Sequence, residues 1–176
     1  EMADLAADVE MPLVEVLATM ESNGIRVNPK ELDRQKAGLE VRIEELRGQI
    51  LDAARVDFNP DSPKQLGDVL FNQLGFPVQK KTKTGFSTDA EVLEKLADLP
   101  ADELEKVAAH ARPIPKLIVA YRMLTKLVGT YFGNLVDAIA DPASGGDGRI
   151  HASFNQTGAA TGRLSSSNPN LQNIPI

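Results

Sequence analysis

A chain of 176 residues, 42% of them apolar, is long enough for one large domain or two small ones and has the material for a core, so disorder is not its default. It contains no cysteine, which excludes disulfides and thiolate metal sites and suits a reducing cytoplasm; charge breaks its apolar stretches well before membrane-spanning length, and no basic signal-peptide region opens it. The formal net charge of −6 argues against an indiscriminate polyanion binder, yet residues 1–115 hold 14 bases and 22 acids whereas residues 116–176 hold 5 and 3, so phosphate contact is expected in the C-terminal third.

In chain order, Met11-Pro12-Leu13 opens a helix in which Leu13, Val16, Leu17 and Met20 recur at i, i+3, i+4 and i+7, with Gly24 placed to cap its C-terminus. Ile25 and Val27 flank Arg26 in a short extended piece. Asn28, Pro29 and Glu31 then supply an N-cap, a first-turn proline and a capping-box carboxylate for a helix running from Pro29 to about Ala54. Leu32, Leu39, Ile43, Leu46, Ile50 and Ala53 mark a heptad-like seam interrupted by Lys36. At about 1.5 Å per residue this helix is roughly 40 Å long, and it needs a partner helix.

Phe58 to Asp61 predicts a turn, and Ser62-Pro63-Lys64-Gln65 a second capping box before a helix bearing Leu66, Val69, Leu70 and Leu74, closed by Gly75 and Pro77. Gln79 to Thr88 follows, with lysines at 80, 81 and 83, several hydroxyls and Gly85; it is either a solvated turn or a phosphate-gripping tip. Thr88 and Glu91 fit a capping box for a short helix with Val92, Leu93 and Leu96. Residues 98–113 predict a further helical stretch through Leu104, Val107, Ala108 and Ala111, ending at Pro113 and Pro115. His110 is expected there as a packing or surface histidine, because no second ligand lies at helical spacing.

From Lys116 to about Ala140, the residues Leu117, Tyr121, Leu124, Val128, Tyr131 and Leu135 form a second heptad seam, the antiparallel partner for the first. Off the seam, Arg122 and Lys126 share one face with Gly129 and Gly133, an arrangement that suits solvated bases or a phosphodiester chain. Asp141 to Gly148 predicts a turn. Ile150, Ala152 and Phe154 then alternate with Arg149, His151, Ser153 and Asn155 as a strand, and Thr161 to Ser165 is expected to pair with it, with Arg163 and Ser165 on one side. His151 reads as a polar-face residue, with no carboxylate placed near it by the sequence. The last stretch, TGRLSSSNPNLQNIP from Thr161 to Pro175, is nearly all polar but carries one charge, Arg163. Its amides and hydroxyls offer short donor and acceptor arms, in a plain surface loop or in one that touches a ligand.

That run is similar to the segment of family A, DNA polymerase I-like, DNA polymerases that enters the palm and lies along the primer-template minor groove. Lys81 to Thr88 resembles the family's thumb-tip loop, and Tyr121 to Tyr131 resembles its duplex-following thumb helix. The resemblance covers most of the chain, in blocks at 10–29, 58–96, 117–139 and 148–175. Two departures stand out: Ala159 occupies a position where threonine is common, and 98–113 is longer than the family pattern.

The resemblance implies a mainly α fold with a small antiparallel β portion, in which a long antiparallel helix pair, the thumb, joins the first strands of the palm sheet. Residues 1–28 would form a connecting helix and extended segment at the base of the palm, 29–140 the thumb, and 141–176 the first palm strands. It further implies that Arg163 reaches the minor groove near the primer terminus, that Asn170, Gln172 and Asn173 contact the template and primer strands, and that Lys81, Lys83, Ser87, Arg122 and Lys126 hold backbone phosphates. The parent enzyme would add deoxynucleotides to a primer 3′ end using two Mg2+ ions on palm carboxylates that lie in a motif beyond Ile176. Residues 1–176 are therefore expected to hold no catalytic or metal-ligating residue and to be inactive alone; Asp137, Asp141 and Asp147 flank or occupy a Gly-Pro turn and are poor substitutes. Primer-template DNA is the expected partner of a monomer in the bacterial cytoplasm, at the nucleoid and not on a membrane, with nucleotide bound only by the whole enzyme. The competing expectation is a coiled-coil interaction module with no nucleic-acid role, for which the two heptad seams suffice.

Overall fold

The computed structural model describes residues 2–83, 85–140 and 147–172. In chain order these give helix α1 (Met2–Leu5), a π-helical stretch (Ala6–Glu10), α2 (Met11–Asn23), strand β1 (Ile25–Arg26) and the long α3 (Pro29–Ala54). Next come α4 (Pro63–Gly67), a second π-helical stretch (Asp68–Gln73), the hairpin of β2 (Lys81–Thr82) and β3 (Gly85–Phe86), and α5 (Ala90–Ala97). The chain continues through α6 (Ile114–Leu127), a third π-helical stretch (Val128–Phe132), α7 (Gly133–Ala140), β4 (Arg149–Ile150), β5 (Ser153–Asn155) and β6 (Ser165–Ser167). A mainly α chain with small antiparallel sheets is what the family resemblance implies. It divides into two compact units, Ala37–Lys126 and Glu1–Lys36 with Leu127–Ile176.

The first of these units is built on one apolar cluster. Leu46, Ile50 and Ala54 come from α3, Leu66, Val69 and Leu70 from α4 and the π-helical stretch, Val92, Leu93 and Leu96 from α5, and Ile114, Ile118 and Tyr121 from α6. Each set follows the helical spacing of 3 or 4 that puts side chains on one face, and each fully buried Leu or Ile is worth about 1.5–3 kcal/mol. This corrects the coiled-coil expectation. The buried face of α6 is Ile114, Ile118 and Tyr121, with Leu117 and Leu124 only partly buried, because four helical elements share the core rather than two helices sharing a seam. The expected helix from Lys116 to Ala140 also starts earlier, at Ile114, and widens at Val128–Phe132, where a π-helical turn breaks the heptad register.

Local signals hold in part. Ser62 caps α4 by accepting from the Gln65 backbone N–H at 3.4 Å, while the Gln65 side chain accepts from the Asn59 N–H at 2.8 Å instead of closing the box on Ser62. Asn28 accepts from the Lys30 N–H at 3.1 Å, but Glu31 turns away to Arg34 and Gln35, whose donors drive its pKa down to about 2. The cap of α5 is Asp89, not Thr88: its carboxylate accepts from the Val92 N–H at 2.9 Å, a stronger interaction than a hydroxyl offers. Residues 98–113 form successive turns rather than the expected helix, with Leu104 N–H donating to Ala101 and Val107 N–H to Leu104. Arg112 draws the Leu104 carbonyl to its guanidinium at 3.2 Å, and Pro113 and Pro115 have no N–H to continue a ladder; Val107 and Ala111 are buried all the same.

The second unit is held differently. Gly24 ends α2 at φ +59°, and β1 then pairs antiparallel with β4, Ile25 opposite Ile150 and Arg26 opposite Arg149. The expected continuous strand is split: β5 leaves β4 and pairs with β6, with Phe154 opposite Ser166. Thr161 to Ser165 therefore is not the pairing strand, and Arg163 lies in the loop before it. A turn from Ala159 to Gly162, with Gly162 at φ +73°, takes up the slack, and Gly158 sits so close to the Ser165 hydroxyl that a Cβ would collide with it.

Candidate nucleic-acid interface

In the unit Ala37–Lys126 the β2–β3 hairpin carries exposed lysines, with Lys81 opposite Phe86 and Thr82 opposite Gly85. Gly85 at φ +147° permits a backbone that other residues avoid, and the Thr82 hydroxyl donates to its carbonyl at 3.0 Å. Phe86 anchors the hairpin against Phe71, ring centroids 5.1 Å apart and tilted by 56°. Lys81 and Lys83 are exposed and, among the described residues, have no acidic partner. Lys80 is paired with Asp89 at 3.2 Å.

Ser87 and Arg122 are placed otherwise. Ser87 is only 6% exposed and donates to the Asp89 carboxylate at 2.7 Å. The Val92 N–H, then Ser87 and Lys80, hold the Asp89 pKa down at about 2. Arg122 is half-buried and donates to the Thr88 carbonyl, and burial lowers its pKa. Both line an open groove of about 1450 Å³ whose wall also carries Asp57, Asp61, Asp68 and Asp89, an unfavourable surface for a polyanion. Tyr121 donates to Asp61 at 2.9 Å, and burial, aided by that carboxylate, raises the phenol's pKa. Lys126, at the end of α6, is exposed.

In the other unit, Arg163, Asn170 and Gln172 are all exposed, whereas Asn173 lies outside the described residues. Ser166, 7% exposed, folds the stretch between them: its hydroxyl donates to the Pro169 carbonyl and accepts from the Leu171 N–H, both at 3.3 Å. Asn170 accepts from the Gln172 N–H at 3.1 Å, which orients its side chain. Gly129 and Gly133 have open space where a Cβ would stand.

What the sequence did not reveal is the set of groups that fixes this strand pair. Glu21 of α2 accepts from the Phe154 N–H at 2.6 Å, and the Gln156 amide donates to the Glu10 carboxylate at 2.6 Å. Arg149 donates to the carbonyls of Asn23 (2.6 Å) and Gly24 (3.1 Å), and His151 bridges the Glu21 carbonyl and Asp147. The Arg149 guanidinium at the carbonyl end of α2 matches the sign of the helix dipole. The alternating polar face of residues 149–155 was the available signal; their partners lie up to 133 positions away in sequence.

These features define a mainly α chain that displays cations on a short hairpin and a guanidinium with amides beside a second strand pair. The sequence model of DNA polymerase family A matches residues 29–176. The chain is 47% identical over 172 residues to DNA polymerase I of Caldicellulosiruptor bescii, covering 98% of this chain and 18% of that protein. It is 44% identical to DNA polymerase I of Lactococcus lactis over its whole length, again 18% of the relative. Among solved structures, the POL domain of Pol1 from M. smegmatis, in complex with DNA primer-template and dNTP, superposes with a TM-score of 0.76 at 39% identity, covering 98% of this chain and 28% of that one. The chain therefore belongs to DNA polymerase family A. It spans about a fifth of the length of these curated relatives.

Among the described residues no group of three or more His, Cys, Asp or Glu side chains is placed to hold a metal ion. No described helix is long and apolar enough to cross a membrane.

Proposed function

We propose that this chain is the primer-template-holding part of a DNA-directed DNA polymerase, a monomer of the bacterial nucleoid whose whole form adds deoxynucleotides to a primer 3′ end with two Mg2+ ions. Residues 29–140 act as the thumb and 141–176 as the first palm strands. The observation that carries this is the exposed set Arg163, Asn170 and Gln172 beside a strand pair anchored to α2. The solved relative in complex with primer-template DNA and dNTP supports it.

Minor-groove contact suits an enzyme that copies any sequence. Purine N3 and pyrimidine O2 acceptors occur at every correct pair, so the Arg163 guanidinium tests the shape of a pair without reading its identity. Asn170 and Gln172, with Asn173, contact the strands beside it. Lys81, Lys83 and Lys126 pair with phosphates, and Ser87 and Arg122 hold the hairpin and α5 behind them. Phosphoryl transfer is assigned to palm carboxylates elsewhere in the whole enzyme.

Titration of primer-template DNA tests the proposal. Three lysine–phosphate contacts weaken binding on the order of 40-fold between 50 and 200 mM salt. Salt-independent binding, or template-directed extension by residues 1–176 with Mg2+, contradicts it.

A further inference from the structure

His151 occupies a position whose chemistry is decided by its two neighbours. Its Nδ1 is 2.7 Å from the Glu21 carbonyl oxygen and its Nε2 is 3.2 Å from an Asp147 carboxylate oxygen. A carbonyl and an ionised carboxylate only accept, whereas neutral imidazole has one donor and one acceptor nitrogen. A neutral ring would aim a lone pair at one of two lone pairs, so both contacts are made only by the imidazolium.

We propose that His151 works as a protonated clasp, a positioning residue that joins the C-terminal end of α2 to the Asp147 turn and so fixes β4 and β5, the strands through which β6 and the Arg163–Gln172 segment are placed. The position for DNA rests on the function proposed above; the charge state does not.

The surroundings are accounted for. From α2, the Glu21 carbonyl accepts while its carboxylate is occupied by the Phe154 N–H. From the turn before β4, Asp147 faces Nε2; burial pushes its pKa up, but the Arg149 N–H and His151 bring it below its ordinary value, so it is ionised at neutral pH. Arg149, two residues away, opposes the charge on the ring but is itself turned to the carbonyls of Asn23 and Gly24. Arg26 of β1 stands opposite Arg149 in register. From β5, Ser153 and Asn155 are uncharged. The Glu21 carbonyl, then Asp147, raises the His151 pKa above its ordinary 6.5 against the effect of burial. Gly24 leaves room for the ring, since a Cβ there would come within 2.8 Å of its Cε1.

A raised folded-state pKa has a definite sign. The clasp contributes fully below the ordinary histidine pKa and is lost as pH rises through the folded value. In acid the clasp loses Asp147 as well, at a pH below the ordinary carboxylate pKa because the Asp147 pKa is lowered.

Two measurements on residues 1–176 test the proposal. Ring-nitrogen NMR, with His110→Gln removing the only other histidine, reports the His151 titration. The expected result is a pKa above 6.5 that falls in Asp147→Asn, with both ring nitrogens protonated below it. A pKa at or below 6.5, or one unmoved by Asp147→Asn, overturns the clasp. Primer-template affinity, read from pH 6 to 9 at fixed salt, is expected to weaken roughly three- to tenfold across that pKa in wild type and in His110→Gln, and to be flat in His151→Gln. An equal pH profile in His151→Gln overturns the positioning role. Absence of DNA binding at every pH overturns the DNA-holding function and the positioning role with it, while the ring titration separately decides the charge state.

Discussion

The β2–β3 hairpin and the β5–β6 pair present polar groups by opposite means. Behind the hairpin lies an apolar core of four helical elements, with Phe86 seated on Phe71, and what it displays is charge on flexible lysine stems. Behind the β5–β6 pair lie long-range polar contacts from Glu21 of α2 and from Glu10 at the end of the preceding π-helical stretch, and what it displays is a guanidinium and amides oriented by Ser166 and Asn170. A point charge grips a phosphate in many orientations, so its support needs only to be stable; a minor-groove donor needs direction, so its support must be specific.

Substitutions sharpen that contrast in descending order. Leu70→Ala, fully buried in the unit Ala37–Lys126, costs about 2–5 kcal/mol by urea denaturation, and the hairpin loses its support with the core. Glu21→Ala removes a charged acceptor from the Phe154 N–H and costs about 1–3 kcal/mol. Its effect on primer-template affinity at fixed salt should exceed that of an exposed α2 substitution such as Glu15→Ala. Gly24→Ala places a Cβ against His151 at a positive φ and costs about 1–3 kcal/mol. Smallest is the acid response of Asp89. Its pKa is depressed to about 2, so the stability it gives α5 and the Lys80–Ser87 turn is present above the ordinary carboxylate pKa and lost as pH falls from about 4 towards 2. Asp89→Asn should flatten that part of an acid titration followed by circular dichroism.

Much of this architecture was legible because it is local. The span of α3, the buried faces of α4 and α5, the Ser62 cap and the Gly24 stop all follow from spacing within one or two turns. What escaped was set by competition. Asp89 outdid Thr88 as a cap because a carboxylate is the better acceptor, and Arg112 with two prolines turned residues 98–113 into successive turns. The shared core overrode the two heptad seams, since four helical elements pack into one apolar cluster where two seams would otherwise have to meet alone. On the candidate site, exposure of Lys81, Lys83, Lys126, Arg163, Asn170 and Gln172 matches their polar sequence context, but the inward turn of Ser87 and Arg122 depends on Asp89 and Thr88 and has no signature at i+3 or i+4. The anchoring of β5 by Glu21 spans 133 positions and was out of reach of any periodicity.

The most direct measurement of the central claim is primer-template affinity as a function of salt for wild type, Arg163→Lys, and Lys81→Ala with Lys83→Ala. If one region supplies charge and the other direction, Arg163→Lys keeps the wild-type slope while losing on the order of tenfold in affinity, because charge is retained and the planar fork is not. The double lysine variant flattens the log–log slope by roughly 1.8. Equal slopes in all three proteins, or full affinity in Arg163→Lys, would contradict the account.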